Sequence, residues 1–295
     1  MRVVKSTVAC GLRLLCGVAI LLGTATLATA ATESHYALSL GFDYARGDYG
    51  TGETTTSWRM PLTFDYTPTA RFDAELVIPY LYQSRSDTVL LGGRRFPMQH
   101  PAGQQPMGTT AMAAMPGMGG QAGNGKGGAV AADQSQQGLG DLTLTAGYAL
   151  VTESPRLPLL RSIVYLKFPT ADPDRGLGTG AFDVGGGVSL GKTFGAWSGY
   201  AETTYVVVGT TDRYQPKNYW TYLASAAYQL SERLTSGLEL SGATSAFDAG
   251  NAALEVQWKL NYWPVPRGGF GGYLAKGLSD GSADYGAGLY GAIGF

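Results

Sequence analysis

The stretch FDVGGGVSLGK, Phe182 to Lys192, can be read in two ways that lead to unrelated folds. Taken with Thr193, its segment GGVSLGKT (186–193) fits the phosphate-binding expression G-x-x-x-x-G-K-[ST]. That expression carries chemistry only where a strand precedes it and a helix follows, so that backbone N–H groups and the helix N-terminus cradle the phosphates. The residues that follow, TFGAWSGYAETTY, hold Gly195, Gly199 and alternating aromatics, so no helix is available. Read with a period of two, the stretch sets Val184, Val188 and Leu190 against Gly185, Gly187, Ser189 and Gly191. That is a strand with two unlike faces, and it excludes a nucleotide. A second motif, GAGLYG (286–291), fits G-x-G-x-x-G and fails for the same want of a helix.

The alternation recurs along the chain. In TSWRMPLTFDY (56–66), Trp58, Met60, Leu62, Phe64 and Tyr66 oppose Ser57, Arg59, Thr63 and Asp65. Similar segments occupy 36–45, 71–83, 141–151, 159–169, 182–192, 197–209, 219–230, 234–242, 253–263, 268–278 and 284–295, twelve in all. Strands of about 9–11 residues cross a bilayer at a tilt, whereas ordinary strands are about half that length. Aromatics gather near the segment ends, with Tyr36, Tyr66, Tyr148, Trp197, Tyr228 and Tyr262 at one rim. Tyr44, Trp58, Tyr80, Tyr82, Trp220 and Tyr285 mark the other, as in the interfacial girdles of transmembrane barrels.

The chain begins as an exported protein does. Arg2, Lys5 and Arg13 form a positive region, Leu14 to Leu22 an apolar one, and Ala28-Thr29-Ala30 an A-x-A cleavage site. Residues 1–30 therefore read as a cleaved signal peptide, and 31–295 as a single barrel domain. Both cysteines, Cys10 and Cys16, lie in the signal, which excludes disulfides and thiolate metal sites from the mature chain. Removing the signal lowers the formal charge of −1 by three more, a mildly acidic balance that offers nothing to nucleic acid.

Connection lengths alternate as well. Short turns such as 67–70, 231–233 and 264–267 fall on one side and longer loops on the other, the longest being the low-complexity segment 84–137. Short periplasmic turns, long outer loops and an even strand number predict an all-β, twelve-stranded antiparallel barrel with periplasmic N- and C-termini. The expected place is the outer membrane of a Gram-negative bacterium, with lipid around the barrel. Phe295, with Leu289 and Ile293 in phase behind it, resembles the terminal signal read by the barrel-assembly machinery.

Three stretches together resemble a known family. GLGDLTLTAGYAL (138–150), LKFPTADPDRGLGTGAFDVGGGVSLGKTFG (166–195) and ELVIPYLY (75–82) are similar to outer-membrane proteins of the meta-pathway phenol-degradation family, described as transporter-like. The most specific piece is Lys167-Phe168-Pro169-Thr170, then Gly176-Leu177-Gly178-Thr179-Gly180 and Asp183. The resemblance implies a barrel associated with uptake of aromatic or hydrophobic compounds, and it brings no catalytic motif.

The residues themselves offer two candidate sites. Arg59, Asp65, Arg71, Asp73, Glu75, Arg161, Lys167, Glu202, Glu239, Glu255, Lys259 and Lys276 fall on the polar face and are expected to line the lumen, as a selectivity field or as bracing ion pairs. Met98, His100, Met107, Met112, Met115 and Met118 crowd the long loop, and thioether and imidazole ligands suit Cu(I) or Ag(I). Beyond the signal the only histidines are His35 and His100, neither mid-strand beside a serine, so no nucleophile pair is visible and an enzyme is not expected. The sequence thus predicts a channel for small solutes, with no cofactor. Its alternatives are a soft-metal-handling protein and a structural barrel without transport.

Overall fold

Alternating side chains make a sheet with one oily and one polar face, and closing that sheet buries the polar face. The computed structural model describes residues 35–84, 88–91, 94–97, 135–248 and 250–295, with the backbone pair Gly11–Leu12 and Leu21–Leu22. The barrel strands are β1 (Tyr36–Gly47), β2 (Thr55–Tyr66), β3 (Phe72–Gln83), β4 (Leu142–Val151), β5 (Leu159–Phe168) and β6 (Asp183–Phe194). They continue as β7 (Trp197–Val208), β8 (Tyr219–Ser231), β9 (Leu234–Ala243), β10 (Ala253–Val265), β11 (Gly268–Gly277) and β12 (Tyr285–Gly294). Each pairs antiparallel with its neighbours in sequence, and β12 pairs with β1 from Tyr285↔Arg46 to Gly294↔Ala37. The twelve long strands form a closed barrel.

The phosphate-loop match lies wholly within β6, and GAGLYG lies within β12. Val184, Val188 and Leu190 are exposed on the outer face, while Ser189 is buried on the inner one. Exposed Leu40, Phe42, Leu62, Leu238, Leu274 and Leu289 continue that outer apolar band around the barrel. Aromatic rings bound it. At the short-turn end Tyr36 stacks on Tyr66 at 4.9 Å and Trp197 meets Tyr228 at 4.9 Å. At the long-loop end Trp58 stacks on Tyr82 at 5.3 Å and Tyr205 meets Trp220 at 4.9 Å. An exposed apolar band with aromatic belts is the surface of an outer-membrane barrel.

The wall is uneven at one place. Pro61 of β2 stands opposite Pro79 of β3, and neither can donate to the ladder. On the far side of β3, β4 is preceded by a separate short strand, Gln136–Leu139, and Gly140 N–H bonds to Pro79 O at 2.8 Å between the two pieces. The long connection between β3 and β4 carries a hairpin of its own, Thr88–Leu91 against Arg94–Pro97, which joins none of the barrel strands.

Candidate functional site

On the inner wall, glycine lets polar side chains reach across a whole strand. Asp73 of β3 and Arg161 of β5 are separated by β4, where Gly147 stands opposite Asp73. Arg161 lies flat over Gly147 and grips Asp73 with both Nε (2.9 Å) and Nη2. A Cβ at Gly147 would collide with that guanidinium. Tyr273 of β11 crosses Gly288 of β12 in the same way, and its hydroxyl donates to Asp43 of β1 at 2.8 Å. Asp43 also takes Arg59 Nε at 2.9 Å and Nη2 at 2.8 Å, which carries the hoop on to β2. Tyr290 of β12 crosses Gly271 of β11 to reach Asn261 of β10. Such pairs brace three or four strands at once, and those on Asp73 and Asp43 are charge-assisted, the stronger kind.

A second arrangement sits at the loop end of β5. The Lys167 ammonium is buried and meets Asp183 at 2.9 Å, Asp141 at 3.3 Å and Thr179 Oγ1 at 2.7 Å. These partners come from β6, the start of β4 and the loop 169–182, so one cation ties that loop to the wall. Thr170 adds bonds to Gly140 O at 2.9 Å and Leu142 N at 3.0 Å, and Ala171 N–H donates to Asp141 at 3.0 Å. Between them a single 3-10 turn, Pro173–Arg175, is capped by Asp172 and ends on left-handed Gly176. The residues that carry the family resemblance are therefore a structural clamp. Gly178 is required because a Cβ there would press on the Asp141 carboxylate.

The hairpin packs against this clamp and the inner wall. Leu90 N–H donates to Gly176 O at 3.3 Å, and Gln83 Nε2 to Arg175 O at 3.3 Å. Val89, Leu91 and Phe96 are fully buried with Val206, Tyr219, Phe247 and loop residues Tyr214 and Ala246. Phe96 meets Phe247 at 5.8 Å and Tyr219 at 6.3 Å. Arg95 reaches back to Gln83. The long loop thus sends its first turn into the lumen.

Two cavities lie beside it among the described residues. One, of about 150 Å³, lies among the hairpin, β1, β2 and β9–β11; the other, of about 100 Å³, lies among the hairpin, β3–β5, β7 and β8. Leu90 and Arg59 line both. Tyr49 reaches the first from the loop after β1, with φ 52°, a left-handed backbone uncommon for a residue with a side chain. Burial pushes its phenol upward, which keeps it a neutral donor. The Tyr214 phenol, under the loop before β8, is pushed the same way by burial and donates to Pro173 O at 3.0 Å.

The structure brings most of the expected lumen charges inward, and mostly as pairs. Arg59, Asp73, Arg161, Lys167, Glu239 and Lys259 are in the contacts above or in the Lys259–Glu239 bridge at 2.7 Å. Asp65 and Glu75 are buried on the same face, Glu202 bonds Tyr200, and Glu255 lines the larger cavity. Arg71 is exposed, in the turn just before β3. Lys276 is a correction: it shares the outer face with exposed Leu274 and Leu278, between Val256 and Tyr285. Its glycine-rich strand gives a poor phase, since inward Tyr273 and outward Phe270 look alike in sequence, and a rim lysine can extend its ammonium beyond the oily band. Met98, His100, Met107, Met112, Met115 and Met118 lie outside the described residues.

Sequence reasoning missed Asp43, Tyr49, Arg94, Arg95, Asp141 and Tyr273 as site residues, and reached Asp183 only through the family likeness. For the hairpin a signal existed: TVLL and RRFP flank Gly92-Gly93, and two short runs around Gly-Gly read as a hairpin. Asp43 sat in phase with Ser39 and Gly41.

The comparisons agree with this geometry. A solved structure, the COG4313 outer membrane channel from Pseudomonas putida F1, is 16% identical, with a TM-score of 0.63 over 90% of this chain and 97% of that one. The NanC porin aligns at 9% identity and a TM-score of 0.49, over 88% of this chain and 98% of its own. At 16% identity the likeness to the P. putida channel is one of fold. No curated protein matches the chain in sequence. A family profile described as "Putative MetA-pathway of phenol degradation" matches residues 99–293, more than half of the chain, and this outer-membrane barrel belongs to that family.

Proposed function

We propose that the protein is an outer-membrane channel for small solutes, aromatic or otherwise hydrophobic compounds among them, with the inner hairpin as its gate. The observation that carries this reading is the hairpin's place between two lumen cavities, where Leu90 and Arg59 face both. A solute moving from one to the other has to displace the hairpin or pass its edge. The family's phenol-degradation description and the channel from P. putida F1 support the choice of role and solute. The same reading takes residues 1–30 as the export signal and exposed Phe295 as the mark read during assembly.

Because Gln83 pairs directly with Gln136, residues 85–134 can be replaced by a short Gly-Asn turn without disturbing β3 or β4. Planar-bilayer recording of the full chain and this variant is the test. Conductance that rises severalfold on deletion is expected. Silence in both forms would leave a structural barrel and end the channel reading.

A further inference from the structure

The larger cavity has a charge balance that its own residues do not complete. Three cations line it, Arg59, Arg94 and Arg95, and three anions, Asp43, Glu239 and Glu255. Arg59 is bound to Asp43, Glu239 to Lys259, and Arg95 to Gln83. Gln83 is neutral, so once the ion pairs are removed two cations, Arg94 and Arg95, and one anion, Glu255, are left, Arg95 keeping its hydrogen bond to Gln83. Arg94 Nε is buried without a hydrogen-bond partner. Glu255 makes no hydrogen bond or ion pair among the described residues, and its charge bears on Tyr49 and Tyr273 across the cavity. Arg94 comes from the hairpin and Glu255 from β10, so the two stand on different walls.

Leaving a partly dehydrated guanidinium and a carboxylate unpaired in one cavity is costly unless something enters between them. The cavity, about 150 Å³, matches the size of one that holds a single benzene ring. Tyr273, Gln257 and Ser241 add donors and acceptors along its side. We propose that this cavity binds a ring-sized solute with an oxyanion at one end, held by Arg94, and a hydroxyl or ammonium donor at the other, held by Glu255. A purely hydrocarbon solute leaves both charges unmet and binds less well here. The inference deepens the channel reading and rests on it for the route by which a solute arrives.

Titration calorimetry on the refolded full chain tests it, with 4-hydroxybenzoate, benzoate and phenol as probes. Benzoate lacks the donor for Glu255, and phenol at neutral pH lacks the anion for Arg94. Each is expected to bind about tenfold more weakly than 4-hydroxybenzoate, the effect of one hydrogen bond to a charged group. Arg94→Met should erase the advantage of 4-hydroxybenzoate over phenol, and Glu255→Gln should shrink its advantage over benzoate. Equal affinity for the three probes, or no binding of 4-hydroxybenzoate, overturns the proposal, and that comparison needs no variant to fold. Binding in a protein that never conducts would keep the site and sink the channel. Conductance without binding would do the reverse.

Discussion

The inner hairpin and the hooped wall both occupy the barrel interior, but they are held there by different physics. Wall groups such as Arg161 and Tyr273 grow from the strands themselves, and their partners stand on the strand beyond the neighbour, at a fixed register. They cannot leave without breaking charge-assisted bonds across Gly147 or Gly288. The hairpin shares no ladder with the barrel. Its attachments are the apolar contacts of Val89, Leu91 and Phe96 and a few bonds to the loop 169–182 and Gln83. Apolar packing is non-directional and can be exchanged for other apolar partners, whereas the hoops are specific. A rigid tube with a removable insert follows from that division of labour.

Lys167→Met should break both regions at once. It leaves Asp141 and Asp183 buried without their cation, and removing one member of such a buried set costs about 3–5 kcal/mol. The midpoint of urea unfolding, followed by heat-modifiable gel mobility, is expected to fall sharply, with the loop 169–182 and the hairpin loosened together. An unchanged midpoint would mean that the clamp does not hold the wall.

Phe96→Ala separates the two. A buried Phe lost from a packed cluster costs about 3–5 kcal/mol, but here it should fall on hairpin docking alone. Limited proteolysis should cut within residues 85–134 much faster than in the parent chain, while the barrel's unfolding midpoint stays put. A fall in that midpoint would show that the insert is part of the wall's stability.

Gly147→Ala gives the smallest effect and concerns the wall only. Its Cβ pushes Arg161 off Asp73, and losing a hydrogen-bonded charge pair costs about 1–3 kcal/mol. Gly186→Ala is the control on the outer face of β6, since nothing lies within 4 Å of a Cβ there. If the two variants unfold alike, the hoops contribute nothing.

How much of this could be read in advance varies with the interaction. Strict alternation in β1, β2 and β6 is a one-strand property, so the twelve strands and their faces were legible. Pairing across an intervening strand is not: nothing local in Asp73 or Arg161 says that Gly147 will lie between them, because that depends on register. The clamp residues were visible as a family likeness, yet their role needed Asp141 to stand beside Lys167, and that depends on how β4 and β5 pair. Lys276 failed where glycine blurs the phase. The hairpin was concealed by the low-complexity composition around it, although TVLL and RRFP around Gly-Gly are a hairpin signal in the sequence.

One contact has a meaning for how the molecule is made. Tyr36 and Phe295 exchange backbone bonds, N–H to O at 3.3 Å and 2.9 Å, and their rings stack at 5.9 Å. Apart from β3 and β4, which flank the long connection, every other neighbouring pair of strands is close in sequence and can zip locally, whereas β1 must wait for β12. Until then the growing sheet presents two raw edges, each able to pair with a stranger. Closing a ring over so long a chain is the slowest kind of contact to form. The rate of maturation should therefore be set at this single seam, and an escort that shields β1 until β12 arrives would shorten it most.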